Sequence, residues 1–130
     1  MSTHRTRPAP CPTEVVVGSA TVAELRGELD VVAALRLSAR LDALTAGPSP
    51  DLVLDLRGVS FIDCSGLGLL CRARNRVLAR RGRLRLVSDS AAFRRILRYA
   101  LLSGVFEVHP DLPAALSAGS DGDPAVTAVA

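Results

Sequence analysis

Leu52-Val53-Leu54-Asp55-Leu56, then Arg57-Gly58-Val59-Ser60-Phe61-Ile62, then Asp63-Cys64-Ser65-Gly66-Leu67-Gly68-Leu69-Leu70, is the stretch on which the reading of this chain turns. The first five residues are a near-continuous apolar run, the pattern of a strand buried on both faces of a parallel sheet, which places it centrally. The last eight read as a turn and a helix start, opened by residues that a cell can modify or a partner can grip.

Downstream of that start, Leu67, Leu70, Cys71, Ala73, Val77 and Leu78 mark one face of a helix that ends near Arg81-Gly82, with Gly82 expected in the left-handed C′ position. Arg74 falls inside that face and fits it poorly. Upstream, Glu14 to Val17 and Thr21 to Arg26 are apolar or β-branched runs separated by Gly18-Ser19-Ala20, the spacing of a hairpin. After Gly27-Glu28-Leu29-Asp30 the period changes: Leu35, Leu37, Leu41 and Leu44 recur at helical spacing until Gly47-Pro48 and Pro50 stop them. Leu84 to Val87 predicts another strand. Ser90 to Leu102 predicts a third helix, opened by Asp89 or Ser90 and closed by Ser103-Gly104. Val105 to Val108 reads as a final strand and Asp111 to Ser117 as a last short helix. The order ββαβαβαβα is that of an α/β domain with a mixed, mostly parallel sheet of about five strands, about four helices and right-handed crossovers. Phe61, Phe93 and Phe106 read as core, and His109 before Pro110 as a cap on a strand-to-helix turn.

The chain of 130 residues has room for one domain, expected over 14–116. Residues 1–13, with Pro8, Pro10 and Pro12, and residues 117–130 offer no periodic apolar face and read as flexible tails. No apolar run follows His4, Arg5 and Arg7, and no segment has the length to span a bilayer, so a soluble cytoplasmic protein without a membrane partner is expected. Cys11, Cys64 and Cys71 form no CxxC pair, and with two histidines they argue against a zinc site or a disulfide framework. No metal or cofactor is expected.

The formal charge is +3, and all sixteen cationic residues are arginine. From Cys64 to Ser88 there is no acidic residue, while Arg72, Arg74, Arg76, Arg80, Arg81, Arg83 and Arg85 all fall there. This cluster reads either as a solvated helix face or as a contact for an acidic partner surface. It lacks stacking aromatics and any groove-entering motif, so direct nucleic-acid binding is not expected. Asp30 and Asp63 both follow predicted strands, and paired carboxylates invite an enzymatic reading. Acid–base work would need further groups, and the two histidines lie far off in sequence, at His4 and His109, so the chain is read as a non-enzyme. Gly66 and Gly68 make no dinucleotide fingerprint, and both are expected to let the helix start pack closely on the sheet.

Two segments, Leu25 to Asp30 (LRGELD) and Asp55 to Leu70 (DLRGVSFIDCSGLGLL), resemble the STAS family of anti-sigma factor antagonists, whose fold also forms the tails of sulfate transporters. Leu102-Ser103-Gly104 followed by Val105-Phe106 resembles the late helix-to-strand turn of that family. The resemblance covers about 14–116 and implies a STAS fold. It further implies a protein that binds an anti-sigma factor carrying an ATPase-kinase domain and so frees a sigma factor. Asp30, Asp63, Cys64, Ser65, Gly66 and Leu67 would form the partner-binding surface, with Asp30 and Asp63 shaping the modifiable loop. Within the same fold the alternative is a STAS subunit of a lipid-transport or stress-signalling assembly; outside it stand a redox-sensing and a nucleotide-binding domain. The oligomeric state is open between monomer and weak dimer.

In regulated members of that family the residue after the aspartate is the serine that takes phosphate. Here it is Cys64. Three readings stand. Cys64 removes the switch, because the charge mechanism depends on the modified oxygen. Or Ser65 is an alternative phosphosite, although one step along a helix turns a side chain by about 100°. Or Cys64 is a redox sensor, favoured by a helix N-terminus and opposed by the adjacent Asp63. A plain exchange of cysteine for serine is compatible with the first. A Cys64–Cys71 disulfide is not expected, since seven helical residues set the Cα atoms about 10 Å apart.

Overall fold

The computed structural model describes residues 12–120, with side chains to Ala118. The expectations for residues 1–11, Cys11 and His4 among them, and for 121–130 lie outside the described residues. Strand β1 (Thr13–Val17) turns into β2 (Ala20–Leu29) through Gly18 and Ser19, with Val17 opposite Ala20. Gly18 stands at φ +62°, the left-handed geometry that tight hairpin loops require at their first position. There follow α1 (Val31–Leu44), β3 (Asp51–Ile62), α2 (Cys64–Ala79), β4 (Arg83–Val87), α3 (Ala91–Tyr99), β5 (Glu107–His109) and α4 (Leu112–Ser120). The five strands form one sheet in the order β1-β2-β3-β4-β5, antiparallel between β1 and β2 and parallel elsewhere. The predicted element order and mixed sheet are those observed.

Alternation along the strands divides two cores. Ala23 and Leu25 of β2, Leu52, Leu54 and Leu56 of β3, and Leu84 and Leu86 of β4 pack with the buried residues of α1, α2 and α3. The intervening Ala20, Val22, Val53 and Val87 meet Ala115 of α4 in a smaller cluster. The α4 side of the sheet is also charged. Arg85, 1% exposed, is ion-paired with Asp51 and donates from Nη1 to the Ala115 carbonyl at 2.7 Å. Arg83 pairs with Glu107 and donates to the Ala118 carbonyl at 3.1 Å. Burial pushes the Glu107 carboxyl up, but Arg83 and His109 beside it hold it below its ordinary value. Arg83 and Arg85 of β4 thus fasten α4 to the sheet.

Several boundaries differ from expectation. Helix α2 ends in a Schellman motif in which Arg81, not Gly82, takes the left-handed position, at φ +59°, with Gly82 N donating to Val77 O at 2.8 Å. Gly82 is needed for another reason: a Cβ there would lie 2.6 Å from Pro50 Cδ. Helix α3 likewise stops at Tyr99, before Leu102, because Leu101 is left-handed at φ +61° and Leu102 N donates to Leu97 O at 2.7 Å. The following turn displaces the last strand to β5, so His109 pairs opposite Val87 and caps nothing; Asp111 caps α4 instead, accepting from Ala114 N at 2.8 Å. That helix runs to Ser120, beyond the expected Ser117. Phe93 and Phe106 are buried, whereas Phe61, Leu35 and Leu78 are exposed.

Candidate functional site

Beyond the point where β4 stops, β2 and β3 continue together as a two-stranded ribbon. Val87 of β4 pairs with Asp55, and β3 then runs seven residues further, to Ile62, beside Arg26–Leu29 of β2. Both strands run past the limits expected from sequence, Arg26 and Leu56, through Gly27 and Gly58. These glycines are accommodated by register shifts between Glu24 and Arg26 and between Gly27 and Glu28, with Gly27 at φ +76°. The ribbon carries the chain out to where α1 and α2 begin.

Leu29 and Ile62 are paired across the ribbon, so the next residues, Asp30 and Asp63, stand at equivalent points. Both have extended backbone, φ/ψ −109/−167° and −116/−168°, and both are N-caps. Asp30 Oδ1 accepts from Ala33 N at 3.0 Å and Asp63 Oδ1 from Gly66 N at 3.1 Å. Each cap satisfies an otherwise orphaned helical N–H and sets a negative charge at the positive end of a helix dipole. Paired strand ends therefore deliver paired caps, which explains two aspartates here without any catalytic role.

Asp63 N donates to Leu29 O at 3.2 Å, tying the start of α2 to the end of β2. Gly66 makes that approach possible. A Cβ on it would lie 2.7 Å from Ile62 Cγ1 and 2.9 Å from Leu29 Cβ, and closer still to the Leu29 carbonyl oxygen. The expected close packing is thus present at Gly66 and absent at Gly68, where a Cβ would meet nothing within 4 Å. The first turn of α2 consequently has two sides. Gly66 and Leu67 are buried, Ser65 is half-buried, and Cys64, a free thiol, is exposed at the first helical position.

The same end of the sheet exposes several large apolar side chains beside the polar Glu28 and Ser60. Val31 and Val32 open α1 at 54% and 40% exposure, Leu35 one turn on is 75% exposed, and Phe61 near the end of β3 is 51% exposed. Four large apolar side chains without cover at one end of a small domain are more than scattered surface residues. Sequence reading assigned Phe61 to the core and passed over the two valines. The signal was the period of two: with Ile62 turned inward, Phe61 must face outward.

The arginine cluster belongs to the fold, not to this end. Arg72 holds the Asp42 carboxylate with two hydrogen bonds, at 3.0 and 2.8 Å, and keeps its carboxyl below the ordinary value. Arg76 donates to Thr45 Oγ1 at 2.9 Å and to the Asp42 carbonyl at 3.1 Å; Arg80 donates to the Ala46 carbonyl at 3.1 Å. These arginines on α2 and at its C-cap cap the carbonyl end of α1, where cations are favoured. Arg74, misplaced on an apolar face by its sequence position, reaches the Val105 carbonyl at 3.0 Å. Among the described residues no group of three or more His, Cys, Asp or Glu side chains could hold a metal ion, and no helix is long and apolar enough to cross a membrane.

Comparison with known proteins places this architecture. Residues 12–115 match the STAS domain. Over 103 residues the chain is 34% identical to the anti-sigma-F factor antagonist RsfA of Mycobacterium tuberculosis, covering 77% of this chain and 80% of that protein. It is 31% identical over 88 residues to the anti-sigma F factor antagonist of Lysinibacillus sphaericus, covering 67% of this chain and 75% of the relative. The crystal structure of an anti-sigma factor antagonist from Mycobacterium paratuberculosis superposes with a TM-score of 0.75 at 30% identity, over 85% of this chain and 93% of the other. The antagonist SpoIIAA in its unphosphorylated form shares the fold, with a TM-score of 0.65 at 20% identity, over 86% of this chain and 99% of the other. The fold, the twin-capped end and these likenesses converge: the chain belongs to the STAS domain family.

Proposed function

We propose that this protein is an anti-sigma factor antagonist, which binds an anti-sigma factor with an ATPase-kinase domain and thereby frees a sigma factor in the cytoplasm. What carries the reading is the likeness, along most of the chain, to proteins named as anti-sigma-F factor antagonists. The geometry supports a docking role, since the capped end of the sheet exposes Val31, Val32, Leu35 and Phe61 and is tied to β2 through the Asp63 N to Leu29 O hydrogen bond. In this reading Cys64, Ser65, Phe61, Val31 and Val32 touch the partner. Gly66 and Leu67 are buried and act by shaping the turn, and Asp30 and Asp63 act by capping it. Association is a matter of surface complementarity, and no bond is made or broken.

Cys64 occupies the position of the phosphoacceptor. A phosphate on the first residue of a helix would gain from the free N–H groups while placing close to two negative charges on an apolar docking surface. A thiol does not accept phosphate in a serine kinase's transfer step, so the protein stays in its binding-competent form. The test is incubation with the cognate anti-sigma factor and labelled ATP. Wild-type protein is expected to bind and remain unlabelled, and Cys64→Ser to become labelled. Labelling of the wild type at Ser65 would reject the unswitched reading; recovery of transporter subunits in place of an anti-sigma factor would reject the antagonist reading itself.

A further inference from the structure

Gly68 lies in the second turn of α2, past the cap, where glycine is among the least favourable residues a helix can hold. A glycine in such a place commonly allows a close approach of another chain or element. Gly66 has that reason in Leu29 and Ile62, which leave no room for a Cβ. Gly68 has no such neighbour: it is exposed, and a Cβ there would meet nothing within 4 Å. The room left by its missing side chain opens outward, to whatever lies against the outer face of α2.

Gly68 belongs to the docking end by position. It follows Cys64 by one turn on the same exposed side of α2, about 6 Å along the axis. The equivalent residue of α1 is Leu35, since Leu35 and Gly68 stand at the same remove from the capping Asp30 and Asp63, and these caps follow residues paired across the ribbon. The two helices start at one end of the sheet and lie side by side, fastened one turn beyond Gly68 by the hydrogen bonds of Arg72 to Asp42. Val31 and Leu35 make one exposed row and Cys64 and Gly68 the other. The α1 row stands high, with Leu35 75% exposed, whereas the α2 row is cut away at Gly68. Together they form a shallow step with an apolar wall, open towards the caps and closed by the Arg72–Asp42 pair.

We propose that this step seats an uncharged apolar side chain of the anti-sigma factor, with Gly68 letting the partner come down onto α2 and Leu35 forming the wall against which the seated group packs. The inference rests on the antagonist reading. The occupant is apolar because Val31 and Leu35 offer no charge, and Arg72 and Asp42 already satisfy each other. A charged group set here would lose water without gaining a partner. Any side chain at position 68 would fill the room that the occupant takes.

The experiment measures equilibrium binding of the full chain to its purified anti-sigma factor, with thermal unfolding of each variant alongside. Gly68→Ala is expected to melt no lower than the wild type, because alanine is the better helix former, and yet to bind about tenfold more weakly, with Gly68→Leu weaker still. Leu35→Ala is expected to dissociate about tenfold faster. Asn75→Leu, an exposed position of α2 beyond Arg72, serves as the control and should bind within about twofold of the wild type. The loss in Gly68→Ala should be alike at about 0.05 M and about 0.5 M salt, as an apolar contact requires. A wild type that binds while Gly68→Ala or Leu35→Ala binds equally well would overturn this inference and leave the antagonist reading standing. Equal weakening by Asn75→Leu, or a loss confined to low salt, which would name a charged occupant, would overturn it as well. A lowered melting temperature in Gly68→Ala would place the reason for the glycine inside the fold, with the same consequence. A wild type that binds no anti-sigma factor would sink both readings.

Discussion

Gly66→Ala and Gly68→Ala add the same methyl group to the same helix two residues apart, and the structure predicts opposite results. At Gly68 the new Cβ meets nothing within 4 Å, so the substitution should express only the helix propensity difference, a gain of up to about 1 kcal/mol. At Gly66 it would lie 2.7 Å from Ile62 Cγ1 and 2.9 Å from Leu29 Cβ, and against the Leu29 carbonyl. A carbonyl that closes a ribbon cannot swing aside as a side-chain tip can. Overpacking of this kind costs roughly 1–3 kcal/mol; with the upper end offset by the propensity gain, a net loss of about 2 kcal/mol results. For a domain of this size that is a fall in melting temperature of roughly 8–16 °C. Urea and thermal unfolding of the three proteins side by side provide the assay. Equal stability of Gly66→Ala and Gly68→Ala would refute the claim that α2 is seated directly on the end of β2.

Removing either capping carboxylate, Asp30→Ala or Asp63→Ala, should cost about 1 kcal/mol in urea unfolding, and the asparagine variants should cost little, since the amide oxygen can accept the same hydrogen bond. On the α4 face, Asp51→Ala strands the buried Arg85 charge and should destabilise by about 3 kcal/mol, whereas Arg85→Met removes the charge together with its unpaired Nε and should cost far less. Acid should weaken the fold through carboxylates held below their ordinary values, Glu107 and Asp55 among them; at Asp55 burial pushes upward and Arg57 outweighs it. Such groups bind protons less tightly when folded, so their contribution is complete above the ordinary value, 4.5 for Glu107, and is lost as pH falls through the folded value. Glu107→Gln should accordingly flatten the decline in stability below about pH 4.5, measured by unfolding at stepped pH.

Much of the fold was legible in the chain because its signals are local. Helical spacing of Leu37 and Leu41, the apolar run Leu52–Leu56 and an aspartate or serine ahead of each of α1, α2 and α3 are properties of neighbouring residues, and they yielded the element order. What was not legible depends on pairing. The ribbon of β2 and β3 exists because Gly27 and Gly58 are absorbed by register shifts between two strands far apart in sequence. The partners of Arg72, Arg74 and Arg76 lie about thirty residues away, on α1 and in the turn before β5, so a basic run that reads as open surface proves to be internal fastening. Within the site, Asp30, Asp63 and Gly66 stood out from sequence, and the structure brings them together at one sheet end. Phe61 is exposed although its residue type suggests core, because it alternates with the inward Ile62. The left-handed ends of α2 and α3 were missed for a similar reason: Arg81 and Leu101 take the position that glycine usually marks, while Gly82 is required by Pro50.

Release of a sigma factor is the act that defines an anti-sigma factor antagonist. The direct measurement is fluorescence anisotropy of a labelled sigma factor bound to its anti-sigma factor, titrated with this protein in the presence and absence of ATP. Wild-type protein should release the sigma factor in a near-stoichiometric titration under both conditions, and Phe61→Asp, which sets a charge on the apolar docking end, should not. Failure of the wild type to displace the sigma factor, or displacement that is lost on incubation with ATP, would contradict the account.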